Sequence, residues 1–316
     1  MFNKTINSYL NNSKLSKINN EYIKINDKCP LCEHSEKKIW SHDKNINNLI
    51  AYQCNKCKLV YINRILKNKY INEYYNDYGE QLHNLSGKYE KNIKQDVTGD
   101  LYLNTKDDTN KRLQQYKLDY KFIENNINVN NKLIFDYACS NGKFLSYFKD
   151  NCIKYGYDAC QKSIENAIIT YPKYSFSSTL INFDNNIDIF IIRGSIMYIR
   201  DLKEFYNYLD KSLKIGGHLI ILCTTNSDSP CFQLQREYAN QFCKYHHINI
   251  FNITSLNYYL DNFKLVNTDF PYIGTPYEDY EEDKNKFNYI LETKEYDKYK
   301  FPYFGNMMNL VYKKVK

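Results

Sequence analysis

The stretch "LIFDYACSNGKFL", residues 133–145, joins an apolar run to a helical pattern through a turn of small residues. A strand that ends at an acidic residue, here Asp136, and turns tightly into a helix brings free backbone N–H groups close to a ligand. Glycine suits such a turn because it lacks a Cβ atom. Gly142 meets this requirement, whereas Ala138 and Ser140 stand where glycine is expected. The stretch therefore predicts a nucleotide-binding turn that leaves less space for the ligand than a turn with glycine at all three positions.

Strand and helix patterns alternate from residue 131 onward, on both sides of this turn. Strands are predicted in "KLIFDYA", "KYGYDA", "YSFSSTL", "DIFIIRG" and "GGHLIILCTT", and helices in "GKFLSYFKDN", "CQKSIENAIITY" and "DLKEFYNYLDKSLK". "FKLVNTDFPY" and "NMMNLVYKKV" are predicted as the last two strands, and the charged stretch "YEDYEEDKNKF" between them as a solvated loop or helix. Such alternation is typical of an α/β fold, a parallel sheet with helices on both faces.

The predicted α/β domain comprises residues 131–316. The sequence that precedes it divides by composition into three segments. Residues 1–25 are a polar leader, residues 26–63 carry paired cysteines, and residues 64–130 are predicted as a mostly helical linker or lid. In "NKRLQQYKLDYKFIENNI" the apolar side chains recur near helical spacing, which indicates a helix that packs on the domain.

Two Cys-x-x-Cys pairs give the strongest metal signal in the sequence. Cys29 and Cys32 form one pair, and Cys54 and Cys57 form the other. Two such hooks supply the four thiolates that tetrahedral zinc requires, so we predict a structural zinc site. A closed site of this kind stabilises the fold and does not catalyse, because no coordination position stays open. His34 lies nearby but is surplus to four ligands.

Composition narrows the function classes. The chain has 316 residues, 43% apolar residues and a net charge of +7 without a dense Lys/Arg block, so a nucleic-acid partner is not indicated. No secretory signal and no spanning apolar run is present in the sequence, and ten cysteines without an export signal favour a reducing compartment. We therefore expect a cytoplasmic protein; oligomeric state is not predictable from these features.

A second carboxylate strengthens the interpretation of the turn. Asp158 in "YGYDAC" ends the strand that follows Asp136 along the chain. A carboxylate at this place accepts hydrogen bonds from ribose hydroxyls in dinucleotide folds. Further on, "LKIGGHLIIL" closes a helix with a Gly-Gly turn into another strand.

Five elements in this order and spacing carry a resemblance to a known family. They are the cysteine pairs, "FDYACSNGKFL", "GYDACQKSIENA", "DIFIIRGSIMYIRDLKEFYNYLDKSLKIGGHLII" and "YHHINIFNITSLNYYLDNFKLV". The chain resembles class I S-adenosylmethionine-dependent methyltransferases, and more narrowly the bacterial sugar and glycan type with an N-terminal zinc ribbon. The resemblance implies a Rossmann-like seven-stranded methyltransferase sheet beside a small zinc ribbon and a helical segment.

The resemblance also implies cofactor contacts at particular residues. The turn of Asp136, Ala138, Ser140, Asn141 and Gly142 would line the methionine part of S-adenosylmethionine. Asp158 would hold the ribose, Ala159 would lie beside the adenine, and Asp184 or a neighbour would reach the adenine amine. Arg193 and Gly194 would pass near the sulfonium. The residues that depart from the family pattern are Ala138, Ser140, Met197, Tyr198 and Ile215.

The acceptor side of the site is predicted from chemistry and from the same resemblance. Methyl transfer to a sugar hydroxyl needs a base poised near neutral pH, and histidine supplies one. His247 aligns with the family histidine, and Tyr198 would lie over the cofactor pocket. These two residues are the catalytic candidates. Because the chain lacks the further C-terminal domain of the C-methylating branch, the resemblance favours O-methylation in glycan biosynthesis, on a small-molecule or glycan acceptor.

Two other functions stay open at this point. A non-catalytic methyltransferase-like module would use the fold and ribbon for partner binding, and the two missing glycines favour it. A zinc-ribbon RNA methyltransferase is the other alternative, which a clustered basic face beside the pocket would favour.

Overall fold

A small antiparallel unit surrounds the paired cysteines. The computed structural model describes residues 23–43, 49–66, 106–236, 247–296, 298 and 306–316, and the fold is given for these. Strands β2 (Lys37–Asp43), β3 (Leu49–Cys54) and β4 (Val60–Ile62) form an antiparallel sheet, while β1 (Ile23–Ile25) pairs with β5 (Arg64–Leu66). We refer to residues 26–63 as the cysteine ribbon.

One long helix, α1 (Lys106–Asn126), follows the ribbon in the described part of the chain. It lies in the segment 64–130 that was predicted to be mostly helical, whereas Arg64–Leu66 in that segment is a strand. The structure likewise has strand β1 at the end of the predicted polar leader. Residues 1–22 and 67–105 lie outside the described residues.

A seven-stranded sheet forms the centre of the fold. Its strands are β6 (Leu133–Tyr137), β7 (Ile153–Tyr157), β8 (Ser175–Ser177), β9 (Ile187–Arg193), β10 (Leu213–Thr225), β12 (Phe263–Asp269) and β13 (Met307–Lys314). They are ordered β12-β13-β10-β9-β6-β7-β8. β6 to β10 run parallel, and β13 is antiparallel to both of its neighbours. The predicted α/β class with a seven-stranded sheet is therefore confirmed.

The remaining elements are short and mostly connect these strands. They are α2 (Gln161–Thr170), α3 (Leu202–Ser212), α4 (Pro230–Gln235), β11 (Asn249–Ile250), α5 (Ile253–Tyr259) and α6 (Tyr280–Thr293). Two buried apolar clusters cover the two sheet faces, one with α1 and the other with α3 and α5. The charged stretch that was predicted as loop or helix is α6. Within the described ranges no helix is both long and apolar enough to cross a membrane.

The helix predicted in "GKFLSYFKDN" is only a 3-10 turn, Phe144–Tyr147. The backbone becomes extended at Phe148, with φ −77° and ψ 145°. The carbonyl of Phe148 accepts a hydrogen bond from the buried Nζ of Lys154 at 2.5 Å. The predicted helix is therefore wrong beyond this single turn, because the backbone leaves the helical region at Phe148.

The cysteine ribbon and the large sheet are joined by β11. This strand pairs antiparallel with β4, so the ribbon sheet has the order β11-β4-β3-β2. The Ile62 N–H also donates to the Ile248 carbonyl at 3.0 Å. Cys29, Cys54 and Cys57 belong to the same buried cluster as residues of α3 and α5.

Candidate functional site

The carboxyl ends of the parallel strands carry the predicted site residues. β6 lies between β7 and β9, and Asp136, Asp158 and Arg193 are at or just beyond the ends of these three strands. In open α/β sheets, ligands bind in the crevice outside the carboxyl ends of the strands. The fold therefore places these three side chains where a ligand is expected.

The turn after β6 has a left-handed backbone at all three positions where glycine was expected. The φ angles are +61° at Ala138, +50° at Ser140 and +75° at Gly142. The Cys139 N–H donates to the Tyr157 carbonyl and the Gly142 N–H donates to the Cys139 carbonyl, each at 2.9 Å. The turn thus forms without two of the glycines, although a left-handed backbone is unfavourable for residues with a Cβ.

Gly142 is required by packing as well as by its backbone angle. A Cβ at this residue would lie 2.5 Å from Cζ of Phe176, a residue of β8. Cys139 turns its Sγ toward Gly156 on the far side of the turn, and burial raises the pKa of this thiol. Cys139 is consequently a packing residue without thiolate character.

Asp136 is a buried carboxyl group with an unsatisfied oxygen. It is 2% exposed, and its Oδ1 has no hydrogen-bond partner in the described structure. Burial raises the pKa of Asp136 to about 7, while the Arg193 guanidinium opposes the shift and Asp158 adds to it. A buried acceptor without a partner is costly, and a positively charged ligand would satisfy it.

Asp158 holds the turn from the neighbouring strand. Its Oδ2 accepts from the Ser140 N–H and its Oδ1 accepts from the Cys160 N–H, both at 2.9 Å. Burial raises the pKa of Asp158, whereas these two hydrogen bonds lower it. Each carboxylate oxygen keeps accepting capacity for a further hydrogen bond. Ala159, the next residue, is exposed at the same edge.

Arg193 has a partner that the sequence did not reveal. Its Nε donates to Oδ2 of Asp119 at 2.8 Å, and Asp119 of α1 is completely buried. Gln115 Nε2 donates to Oδ1 of the same carboxylate at 2.8 Å, and the guanidinium carbon lies 4.3 Å from the Tyr116 ring centroid. The sequence feature that could have indicated this partner is the position of Asp119 among the apolar residues of α1. The Arg193–Asp119 pair fixes the guanidinium beside Asp136.

The two catalytic candidates lie in hydrogen-bond contact. Tyr198 Oη is 3.1 Å from Nε2 of His247, and His247 is 8% exposed. Tyr198 ends a 3-10 turn, Ile196–Tyr198, that directly follows the end of β9. The Ile248 N–H donates to the Met197 carbonyl at 3.0 Å, which ties the His247 segment to this turn. His246, the other histidine of this sequence pair, lies outside the described residues.

Three buried hydroxyl groups at the end of β10 were not predicted. Thr224, Thr225 and Ser227 are at most 1% exposed, and their hydroxyl oxygens have no partner in the described structure. The Ser227 N–H donates to the Phe251 carbonyl at 2.8 Å, so this segment adjoins the one that follows His247. Buried polar groups normally have a partner, and a polar ligand or ordered water would supply one.

The four predicted cysteine ligands converge on one point. Sγ of Cys29 is 3.5 Å from Sγ of Cys57, and Sγ of Cys32 is 3.5 Å from Sγ of Cys54. All four sulfurs lie within 4.8 Å of one another, so the group could hold a metal ion. Tetrahedral zinc with sulfur ligands needs sulfur atoms about 3.8 Å apart, which this arrangement fits.

The two cysteine hooks share one backbone geometry. The Glu33 N–H donates to the Cys29 carbonyl at 2.9 Å, and the Lys58 N–H donates to the Cys54 carbonyl at 3.1 Å. Both donors have a left-handed backbone, with φ +57° and +64°. His34 Nε2 lies 3.6 Å from a Glu36 oxygen and is outside the four-sulfur group. The donor set therefore consists of four thiols.

Comparison with solved structures identifies which known fold this architecture is similar to. No family model matches the sequence, and no curated protein matches it. Among solved structures, a chain of the complex between the Haloferax volcanii Trm112 methyltransferase activator and a methyltransferase has a TM-score of 0.51 at 12% identity, covering 71% of this chain and all of that one. The fold is that of a class I methyltransferase. An S-adenosylmethionine-dependent methyltransferase from Listeria monocytogenes also matches, with a TM-score of 0.47 at 13% identity, covering 64% and 99%.

Within the methyltransferase fold, Asp184 does not lie at the site. It precedes β9, and the next residue, Asn185, donates its N–H to the Lys211 carbonyl at the end of α3. This is the amino edge of the parallel strands, opposite the edge that carries Asp136 and Asp158. The expected adenine contact of Asp184 is therefore wrong, because the loose alignment placed a residue from before a strand among residues that follow strands.

Proposed function

We propose that the protein is an S-adenosylmethionine-dependent methyltransferase that methylates a sugar hydroxyl of a nucleotide-linked or glycan acceptor. The observation that carries this proposal is the Tyr198–His247 hydrogen bond, next to the carboxyl edge of a sheet with the methyltransferase fold. A role in cytoplasmic glycan biosynthesis is part of the same proposal.

The residues at the strand ends fit the cofactor. Asp136 offers an unsatisfied buried oxygen to its positively charged end, and the turn from Ala138 to Gly142, including Asn141, would line the methionine part. Asp158 and Ala159 would contact the ribose and adenine. Arg193 and Gly194 would border the sulfonium side. When bound, S-adenosylmethionine supplies a methyl group on a sulfonium, which an oxygen nucleophile displaces.

The protein's own task is to align the acceptor and remove its proton. His247 presents Nε2 to the oxygen of Tyr198 at 3.1 Å, a distance at which a proton can pass between them. His247 would act as the base, and Tyr198 would orient the acceptor hydroxyl. The unpartnered hydroxyls of Thr224, Thr225 and Ser227 support an acceptor rich in hydroxyl groups.

The distribution of lysines bears on the RNA alternative. Lys211, Lys214, Lys314 and Lys316 line one cavity, which lies at the amino edge of the parallel strands, away from Asp136 and His247. A nucleic-acid methyltransferase needs its basic surface beside the reacting atoms. Among the residues that the structure describes, this lysine cluster therefore lends no support to the RNA alternative.

Calorimetric titration with S-adenosylmethionine and S-adenosylhomocysteine tests the proposal first. We expect micromolar binding that Asp158→Ala abolishes, because that variant removes both the predicted ribose ligand and the anchor of the turn. The exposed Asp150→Ala is the matched control and should bind as the wild type does. Failure of the folded, zinc-loaded wild type to bind either compound would refute the enzyme function and favour the non-catalytic module.

The acceptor role of His247 needs a separate measurement. With nucleotide sugars as candidate acceptors and a methyl-labelled cofactor, we expect His247→Asn to lower turnover by about a hundredfold or more. S-adenosylhomocysteine affinity should stay unchanged, because His247 is proposed as the base for the acceptor and is not among the predicted cofactor contacts. Full turnover in His247→Asn would exclude this residue as the base.

A further inference from the structure

We propose that the cysteine ribbon holds His247 in place, so that the metal state of the four cysteines controls the acceptor side of the site and leaves the cofactor side intact. This inference rests on the proposed function for its consequence in catalysis. The positioning itself is a property of the fold and can be tested without any turnover.

The backbone that follows His247 is an edge strand of the ribbon sheet. In the pairing of β11 with β4, Asn249 lies opposite Tyr61 and Ile250 lies opposite Val60. The Ile62 N–H donates to the Ile248 carbonyl at 3.0 Å. The first three residues after His247 are thus hydrogen-bonded or paired to a strand that begins shortly after Cys57.

Side chains extend this connection to the hook itself. Asn252 Nδ2 lies 3.4 Å from the carbonyl of Lys58, the residue next to Cys57. Asn252 also caps α5, since its Oδ1 accepts from the Ser255 N–H at 2.8 Å. Phe251, Tyr61 and Cys57 are completely buried in one cluster. Movement of the second hook would therefore be transmitted to the chain that carries His247.

On its other side, the His247 segment contacts the turn that bears Tyr198. The contacts are the Ile248 N–H to the Met197 carbonyl, Asn249 Nδ2 to the Ile199 carbonyl at 2.6 Å, and the Tyr198–His247 hydrogen bond. The segment is a bridge between ribbon and sheet. If β4 is displaced, the supports that remain among the described residues are the Tyr198 turn and the segment after β10, where the Ser227 N–H donates to the Phe251 carbonyl and Asn252 Nδ2 donates to Oδ1 of Asp228.

The cofactor side has no comparable dependence. Asp136 and Asp158 lie at the ends of central strands, and the hydrogen bonds of Asp158 are to Ser140 and Cys160. Arg193 is held by Asp119 of α1. In the described structure these supports belong to the sheet and its helix, and none of them comes from the ribbon.

Four converging thiols form a stable cross-link only when an ion neutralises and joins them. The two hooks lie on different turns, after β1 and at the end of β3. The sulfur contacts join them at their tips, while the β2–β3 pairing and the hydrogen bond from the Asn55 N–H to the Glu36 carbonyl join their backbones. Loss of the ion is expected to separate the hooks and to release β4. The predicted result is a protein that retains its cofactor site and loses the position of His247.

Histidine accessibility in the full-length protein tests this directly. The zinc-loaded protein, the chelator-treated protein and the protein after zinc re-addition are each modified with diethylpyrocarbonate, and the modified residues are identified by mass spectrometry. Zinc content is measured in parallel. We expect removal of zinc to speed modification of His247 by about tenfold or more, because it is now 8% exposed, and re-addition to reverse this change.

His218 on β10 is the matched control, because it lies in the large sheet away from the ribbon. Its modification rate and the affinity for S-adenosylhomocysteine should stay within about threefold of the zinc-loaded values. Unchanged His247 reactivity after verified zinc loss would overturn the proposal. Faster modification of His218 together with His247 would also overturn it, by showing a general collapse. Absence of cofactor binding in the zinc-loaded protein would count against the proposed function alone.

Discussion

Ala138 and Ser140 take a left-handed backbone that L-residues with side chains adopt at a cost of about 1–2 kcal/mol each. The hydrogen bond from the Ser140 N–H to Asp158 and the pairing of the turn with β7 hold this geometry. Both side chains are half-buried, so they border the space over the turn without being packed into the core. The turn therefore keeps its shape through its anchors, at the expense of stability.

Glycine at either position should relieve this strain. We expect Ala138→Gly and Ser140→Gly each to increase the free energy of unfolding by about 1 kcal/mol, since the left-handed penalty exceeds the added chain entropy. Urea unfolding at neutral pH measures the change. Gly142→Ala is the opposite case, because its Cβ would meet Phe176, and it should destabilise by more than about 2 kcal/mol. If all three substitutions changed the free energy of unfolding in the same direction and by the same amount, the assigned backbone angles would be contradicted.

Asp136 should make stability depend on pH. Its pKa in the folded protein is about 7 against 3.8 ordinarily, so the folded state binds the proton more tightly than the unfolded state does. Stability consequently falls as pH rises from about 4 to 7, by up to ~4 kcal/mol, and is level above that range. Asp136→Asn should remove this part of the slope. Urea unfolding of both proteins at several pH values gives the difference, and parallel curves would refute the burial of an uncompensated carboxyl group.

The sequence was sufficient for residues whose role follows from their place on a strand. Asp136 and Asp158 follow apolar runs, and parallel strands bring their carboxyl ends to one edge. It was insufficient for Asp119, because nothing in the spacing of α1 tells which distant cation a buried carboxylate meets. The Tyr198–His247 contact was likewise not predictable, since it depends on a strand pairing between segments far apart in the chain.

At the scale of elements, one ion pair attaches helix α1 to the sheet. Arg193 ends β9 and Asp119 lies on α1, and both are largely removed from water. Breaking a buried pair by neutralising one partner leaves the other charge uncompensated. The pair therefore determines the position of α1 at the carboxyl edge of the parallel strands, and it also stabilises the attachment of the helix.

Asp119→Asn should destabilise the protein by about 3 kcal/mol, because Arg193 would stay charged without its counterion. Thermal or urea unfolding measures this change. The solvent-exposed pair of Glu281 and Lys284 on α6 is the matched control, and Glu281→Gln should leave the unfolding curve unchanged. If Asp119→Asn is equally neutral, the pair at α1 is solvated and does not attach the helix.

Elements with strong periodicity were predictable, and those decided by tertiary contacts were not. The strands and the later helices follow their apolar patterns. The helix expected after Gly142 stops after one 3-10 turn, where the backbone becomes extended at Phe148 and the Phe148 carbonyl accepts from Lys154 of β7. On α1, Leu118 was expected on the apolar face and is 37% exposed, while the charged Asp119 is buried. A buried ion pair thus overrides the simple amphipathic pattern.

For the whole molecule, the ribbon and the large sheet share one core. Cys29, Cys54 and Cys57 are buried in the same cluster as Phe135 of β6 and Leu219 of β10. A shared core of this kind makes the global unfolding of the zinc-loaded protein cooperative, because complete unfolding of either part exposes apolar surface of the other. The sequence predicted a ribbon and an α/β domain separated by a helical segment, and did not indicate that a strand from the domain, β11, completes the sheet of the ribbon.

The zinc-loaded protein should therefore unfold in a single calorimetric transition, with its calorimetric and van't Hoff enthalpies in agreement. Mutating Cys57 to Ser should shift that transition to lower temperature, because it removes one of the four thiols of the metal site. An independent early transition of about forty residues' size would show that the ribbon is a separate domain.

The pairing of β11 with β4 of the ribbon also has a consequence for folding during synthesis of the chain. β4 is synthesised early, but its partner β11 emerges only after five strands of the large sheet, and β13, which lies between β10 and β12, comes later still. A ribosome-bound chain with its cysteines already exposed has an unpaired ribbon edge during most of translation. Such edges invite wrong pairing, and long-range closure is slow. Metal capture by the nascent hooks would protect that edge until the His247 segment arrives.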